Sequence, residues 1–274
     1  MKILRIFPHR NAATPDDELV RIGEPSLFDR DLDIDEVHVS VTFKWEIENA
    51  KRLASYWGAY YPVKIGGVAL NDAGGEFVPG QYLKRGYVIT SRGCPNHCWF
   101  CDVWKREGTI RELPITAGNN ILDNNLLACS PEHIYAVFEM LKTQKAVEFT
   151  GGLEAKRLTT WQANELRNLK IKQMFFAYDT PADLEPLQIA GQKLLTAGFT
   201  RRSHKLRCFV LCGFRGDIPS KAEARMEQTM RAGFMPMAMY YRHNAFTPIP
   251  KDWHDLVYYY SSPIAMAKKY REFE

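Results

Sequence analysis

Three cysteines, Cys94, Cys98 and Cys101, fall within eight positions in the stretch SRGCPNHCWFCDVW, and no fourth follows nearby. Gly93 and Pro95 favour a turn there over a continued strand, so the three sulfurs can converge on one inorganic centre. A structural zinc normally takes four ligands from paired C-x2-C knuckles, and there is no second knuckle. His97 lies between two of the cysteines and would have to double back to serve as a fourth ligand. A thioredoxin-like pair, Cys98-Trp-Phe-Cys101, fits poorly, because it does not open a helix after an early strand and leaves Cys94 superfluous. An iron–sulfur cluster held by three thiolates keeps one iron free of protein ligands, and such a vacancy is a place for a substrate or cofactor. A non-catalytic zinc or iron–sulfur module is the competing reading.

The remaining cysteines, Cys129, Cys208 and Cys212, are scattered through apolar or helical-looking text. Cys208 and Cys212 would stand about 13 Å apart along a strand, too far for one cluster, so a buried thiol is expected for Cys208, while Cys212 can face the site near the strand's top.

The elements around the cysteines alternate regularly. GYVITS reads as a strand running straight into the loop, and five more strands follow in ILDNN, AVEFTGG, KQMFFAYD, LRCFVLCGF and MPMAMYYR. Helical periodicity falls between them in PEHIYAVFEMLKTQ, TTWQANELRN, DLEPLQIAGQKLLTAG and KAEARMEQTMRAG, with Ser130 as N-cap and Pro131 at the first helical position. Strands separated by helices imply parallel pairing through right-handed crossovers, hence an α/β fold in the form of a partial (β/α)6 TIM-like barrel. Chemistry in such folds collects at the carboxyl ends of the strands, where the cysteine loop sits.

The spacing C-x3-C-x-aromatic-C, carried as Cys94, Cys98, Phe100 and Cys101 after the first of six strands, resembles the radical S-adenosylmethionine superfamily, over about residues 86–242. The resemblance implies a [4Fe–4S] cluster on Cys94, Cys98 and Cys101 whose open iron is chelated by S-adenosylmethionine. One-electron reduction would then give a 5′-deoxyadenosyl radical that takes hydrogen from a substrate. It also implies an electron donor such as flavodoxin or ferredoxin, and a place for Phe100 beside the adenine. FTGGLEA, with Gly151, Gly152 and Glu154, is similar to the family's Gly-Gly-Glu motif for the cofactor's amino group. It departs from that motif by the inserted Leu153 and by ending the third strand. By position the second strand offers Asp123 and Asn125 for the same task. Asp179 ends the fourth strand, where relatives place a polar residue on the ribose or carboxylate; it equally suits the cap of the next helix. Arg215 and Asp217, in VLCGFRGD, fall in a segment whose backbone flanks the adenine in the family.

Residues 1–75 read as a βαβ-like extension, with strands in KILRIF, DEVHVSVTF and PVKIGGVAL and a helix over EIENAKRLASYWGAYY. NDAGGEFVPG marks the boundary to a second domain over 80–274 that ends in an aromatic segment. The ending PVKIGGVA resembles the last strand of the cobalamin-binding domain found in one branch of the superfamily. The unit is short, and no Asp-x-His-x-x-Gly stretch supplies a lower cobalt ligand, so cobalamin is not expected.

The formal charge of +4 argues against a dedicated nucleic-acid coat and leaves nucleic acid open as a partner. Lys84, Arg85, Arg92, Lys105, Arg106 and Arg111 flank the cysteines and suit a small-molecule or anionic substrate, although solvated loop charge is the commoner explanation of such residues. The absence of an export signal or a long apolar run leads to the expectation of a cytoplasmic protein with no membrane partner.

Overall fold

In the computed structural model the described residues are 1–72, 75–242 and 248–273. Positions 73–74 of the expected boundary stretch, and the first two residues of the C-terminal aromatic segment, lie outside them. The chain forms two compact units, one of residues 1–88 with 105–107 and one of 89–104 with 108–274.

The first unit is built on four parallel strands, β1 (Ile3–Phe7), β2 (Val20–Ile22), β3 (Glu36–Ser40) and β4 (Val63–Gly66), in the order β2-β1-β3-β4. Helix α1 (Ile47–Trp57) connects β3 to β4. Ala50, Leu53 and Trp57 of α1 pack against Leu4, Ile6, Val37, Val39 and Val41, each large side chain contributing about 1.5–3 kcal/mol by burial. The Trp57 indole N–H donates to the Gly23 carbonyl at 3.0 Å, so its polar end is satisfied. The βαβ-like expectation missed β2, which has three residues, too few for periodicity to register. The segment after the expected boundary belongs with this unit: Arg5 donates to the carbonyls of Gly80 and Gln81, and Lys84 pairs with Asp16.

The second unit carries the chemistry-bearing residues. The chain runs through β5 (Tyr87–Val88), β6 (Ser91–Arg92), α2 (Val103–Glu107), β7 (Arg111–Glu112), β8 (Asn120–Ile121), α3 (Pro131–Lys142), β9 (Val147–Phe149), α4 (Thr160–Asn168), β10 (Ile171–Tyr178), α5 (Leu184–Thr196), β11 (Leu206–Cys212), α6 (Pro219–Arg231), β12 (Met235–Tyr240), α7 (Lys251–Ser261) and α8 (Pro263–Tyr270). Of the six strands of the main sheet, five lie in this unit, in the order β12-β11-β10-β9-β8, so strand order follows chain order. Parallel pairing runs through β8, β9, β10, β11 and β12. A helix follows each of β8, β9, β10 and β11, which makes the architecture α/β with a parallel sheet. Met174 and Phe176 of β10 and Cys208 and Val210 of β11, which share one face of the sheet, are wholly buried, whereas Gln173, Ala177, Arg207 and Phe209 on the other face are not. Ser130 caps α3 by accepting from the His133 N–H, and Thr159 and Gln162 form a capping box on α4. No helix among the described residues is long and apolar enough to cross a membrane.

Candidate functional site

The cysteine loop is fastened at its root by the end of the neighbouring strand. Asp123, two residues past β8 and only 1 % exposed, accepts the Thr90 N–H at 2.6 Å, the Thr90 hydroxyl at 2.6 Å and the Ser91 hydroxyl at 2.7 Å. Desolvation raises its pKa, and these hydrogen bonds oppose that rise. Asn124 Oδ1 accepts the Gly93 N–H at 3.0 Å. β6 and β7 pair antiparallel and pinch the loop closed, and the Cys94 N–H donates to the Gly108 carbonyl at 3.1 Å. Gly93 has φ of +87°, and a Cβ there would stand 2.1 Å from the Thr109 oxygen, so only glycine fits. Within the loop the Cys101 N–H donates to the Cys98 carbonyl at 3.2 Å, a turn that brings these two residues round together.

From this root the loop passes along the carboxyl ends of the strands in order. Cys94 Sγ lies 3.5 Å from Asn125 Nδ2, after β8. The same amide nitrogen donates to Glu154 Oε2 at 2.6 Å, after β9, and Arg157 Nε donates to that oxygen at 2.6 Å. Gly151 permits this junction: a Cβ there would meet the Asp123 oxygen at 2.3 Å, so the ends of β8 and β9 approach backbone to backbone. Gly152 follows with φ of +97°. Cys98 lies within electrostatic reach of Asp179 and Asp183, after β10. Trp99 meets Phe214, after β11, and Tyr241, after β12, with ring centres 6.0 and 5.2 Å apart. Phe100 stands edge-on to Trp99 at 5.2 Å.

Several sequence expectations are redistributed by this arrangement. Asp123 and Asn125 had the same expected task, yet the Asp123 carboxylate is taken up by Thr90 and Ser91, and only Asn125 reaches the cysteines. Asn125 and Glu154, offered as alternatives on different strands, are in direct contact. The Asn125 Oδ1 is buried, with no hydrogen-bond partner among the described residues, an orphan of the kind that costs about 1–3 kcal/mol unless a donor arrives. Arg157, Trp99 and Tyr241 were missed; the one signal for Trp99 was an aromatic pair set between two cysteines. Of the flanking cations, Lys84 and Arg106 are already paired, with Asp16 and Glu107.

The electrostatics share one feature, a shortage of positive charge. Burial first, then the neighbouring Cys101 and Cys94, then Asp179 and Asp183, push the Cys98 thiol up to about 11. Burial, then the Asp183 charge, push Asp179 up to about 7. Among the described residues no donor reaches the Asp179 carboxylate; its own N–H donates to Asp183 Oδ2 at 3.1 Å, and Asp183 also accepts from Thr180. Asp183, rather than Asp179, therefore caps the turn into α5. The stability consequence has a definite sign. A carboxyl whose folded pKa lies above its ordinary 3.8 keeps its proton more readily in the folded state. Its share of stability is full below pH 4 and is lost as pH rises through 7. Asp179→Asn is expected to remove the cost of ionising this carboxyl and to be the more stable form at pH 8 by up to about 4 kcal/mol, with little gain at pH 4. Urea midpoints at the two pH values check this.

Cys129, Cys208 and Cys212 are buried; burial pushes Cys129 up to about 11 and Cys212 up to about 12. Asp217 is structural. Arg225 Nη1 and Nη2 hold its two oxygens at 3.0 and 2.6 Å, and the Gly213 N–H donates to it at 2.9 Å. Asp217→Ala would strand a buried guanidinium and is expected to cost about 3–5 kcal/mol in denaturant unfolding.

As placed, no three His, Cys, Asp or Glu side chains among the described residues converge on a single-ion position. A cluster whose irons each take one thiolate does not require such convergence. No protein-family model matches the chain, and no curated protein is significantly similar to it.

Proposed function

We propose that the chain is a radical S-adenosylmethionine enzyme, with a [4Fe–4S] cluster on Cys94, Cys98 and Cys101 at the mouth of a partial β/α barrel, acting in the cytoplasm on a small-molecule substrate. When bound, the cluster supplies the electron that breaks a carbon–sulfur bond of S-adenosylmethionine, releasing methionine and the 5′-deoxyadenosyl radical that takes a hydrogen atom from the substrate.

The observation that carries the reading is the junction at Cys94, where the unpartnered Asn125 Oδ1 lies beside a carboxylate, Glu154. An ammonium group entering there finds an amide oxygen with no donor and a negative charge close by. Arg157 holds Glu154 by a side-chain bond and fixes its direction. Burial first and neighbouring anions second raise the pKa of Cys98 and of Asp179, so both groups hold their protons more readily than in water. Thiol protons would leave as iron is taken up. Asp179 is the group for the ribose hydroxyls, and the edge-on pair Phe100 and Trp99 is the wall for the adenine. All six cysteines are free thiols, as a reducing compartment and cluster assembly require.

Anaerobic reconstitution with iron and sulfide tests the centre. The reading expects about four irons and four sulfides per chain, and a reduced-state electron paramagnetic resonance signal that changes when S-adenosylmethionine is added. One zinc per chain without sulfide would overturn it in favour of a non-catalytic zinc module.

A further inference from the structure

The first unit has a feature that the chemistry of the second leaves unused. Its strand order, β2-β1-β3-β4, sends the connection leaving β1 toward one side of the sheet and the connection leaving β3 toward the other. The crevice between the carboxyl ends of β1 and β3 is therefore a topological switch point, the place where open α/β sheets receive ligands. The residues that follow these two strand ends are stacked. His9, two residues past β1, lies on Phe43 with ring centres 5.7 Å apart and planes within 16°. Phe43, three residues past β3, lies on Trp45 at 4.5 Å and 11°. His9 Nδ1 is hydrogen-bonded to the carboxylate of buried Glu46, which fixes the first ring of the stack.

Two details separate this stack from ordinary packing. Its rings meet face to face, whereas those around Trp99 in the second unit meet edge to face and engage one another. Moreover, Trp45 is 49 % exposed although Phe43 covers one of its faces, so the opposite face of the indole is open to solvent. A fixed, parallel stack that ends in an open indole face is a platform for one more flat ring.

We propose that the switch-point crevice of the first unit is a second ligand site, in which a nucleobase or an equivalent flat heteroaromatic ring stacks on Trp45. The ring, and not a phosphate, is the recognised part. The adjoining first turn of α1 already carries acidic residues, with Glu46 at its N-cap and Glu48 inside it, and these disfavour a further anion at that helix end.

The test is isothermal titration of the full chain with guanosine, uridine and ribose 5-phosphate in the absence of S-adenosylmethionine, with the Trp45 variants separating binding at this stack from binding at any nucleoside site of the second unit. Guanosine is expected to bind, uridine with its smaller ring more weakly, and ribose 5-phosphate not at all. Trp45→Ala should weaken guanosine binding about tenfold or more, and Trp45→Phe, which keeps a flat face, should restore most of it. Trp45 is half exposed, so neither variant threatens folding, and circular dichroism confirms that both remain native. Absence of guanosine binding to the wild-type chain, or equal binding to wild type and Trp45→Ala, overturns the proposal. Neither result bears on the cluster assignment, which concerns residues of the other unit.

Discussion

Replacing Asp123 by alanine is expected to cost about 3–5 kcal/mol of stability and to unfasten the cysteine loop. The carboxylate accepts three donors, the Thr90 N–H, the Thr90 hydroxyl and the Ser91 hydroxyl, in a site where all three residues are essentially inaccessible to water. Hydroxyls can rotate toward other acceptors, but the backbone N–H cannot, and each buried donor left unpaired costs about 1–3 kcal/mol. Asp123→Asn keeps one acceptor oxygen and should fall between alanine and the wild type. Chemical unfolding measures the cost, and a loss below about 1 kcal/mol would show that the loop root is held by something else. Reconstituted iron should fall along with stability, because Gly93 and Cys94 begin directly above this anchor.

The second large effect concerns the thiols. Cys98→Ala is expected to bring reconstituted iron and sulfide down to background. Cys129→Ala, a change at a buried thiol, should lower stability while leaving iron content near the wild-type value. Colorimetric iron and sulfide assays on the two purified variants make the comparison. Equal losses in both, or equal retention, would remove the distinction between loop and core cysteines on which the metal assignment rests. Cys98 is the more informative of the three loop residues because its thiol is held so far from ionisation, at about 11, by burial and by neighbouring anions. A centre that binds it must supply enough positive charge to displace the proton.

Much of the fold could be read from the chain alone, for a physical reason. Strands of a parallel sheet show as runs rich in apolar residues, and the six strands from β5 to β12 in the main sheet each overlap an expected run. The helix starts at Ser130 and Thr159 were legible or nearly so because caps are local chemistry. Three-residue β2 was not, since it carries no period and owes its strand form to pairing with β1. Curvature of the sheet into a barrel also lies beyond what strand order states.

At the site, residue types were easier to anticipate than residue roles. The cysteine spacing, the paired glycines and the strand-end carboxylates all stood out as places for chemistry. What could not be read was which polar group would be consumed by the scaffold. Asp123 and Asn125 are two positions apart and similarly polar, yet one holds Thr90 and Ser91, more than thirty residues away in sequence, and the other reaches Cys94 and Glu154. Asp217 is likewise consumed, by Arg225 on the following helix. Such partners are set by the packing of distant segments, and nothing in the local spelling distinguishes them. The contact of Trp99 with Tyr241 is of the same kind.

The central claim is that three loop thiolates hold an iron–sulfur cluster open to S-adenosylmethionine. It is tested most directly by product formation: the anaerobically reconstituted full chain is mixed with dithionite and S-adenosylmethionine, and 5′-deoxyadenosine is quantified by chromatography. 5′-Deoxyadenosine and methionine are expected in equal amounts from the wild-type chain and none from Cys98→Ala. A wild-type chain that is loaded with iron and sulfide yet releases no 5′-deoxyadenosine would contradict it.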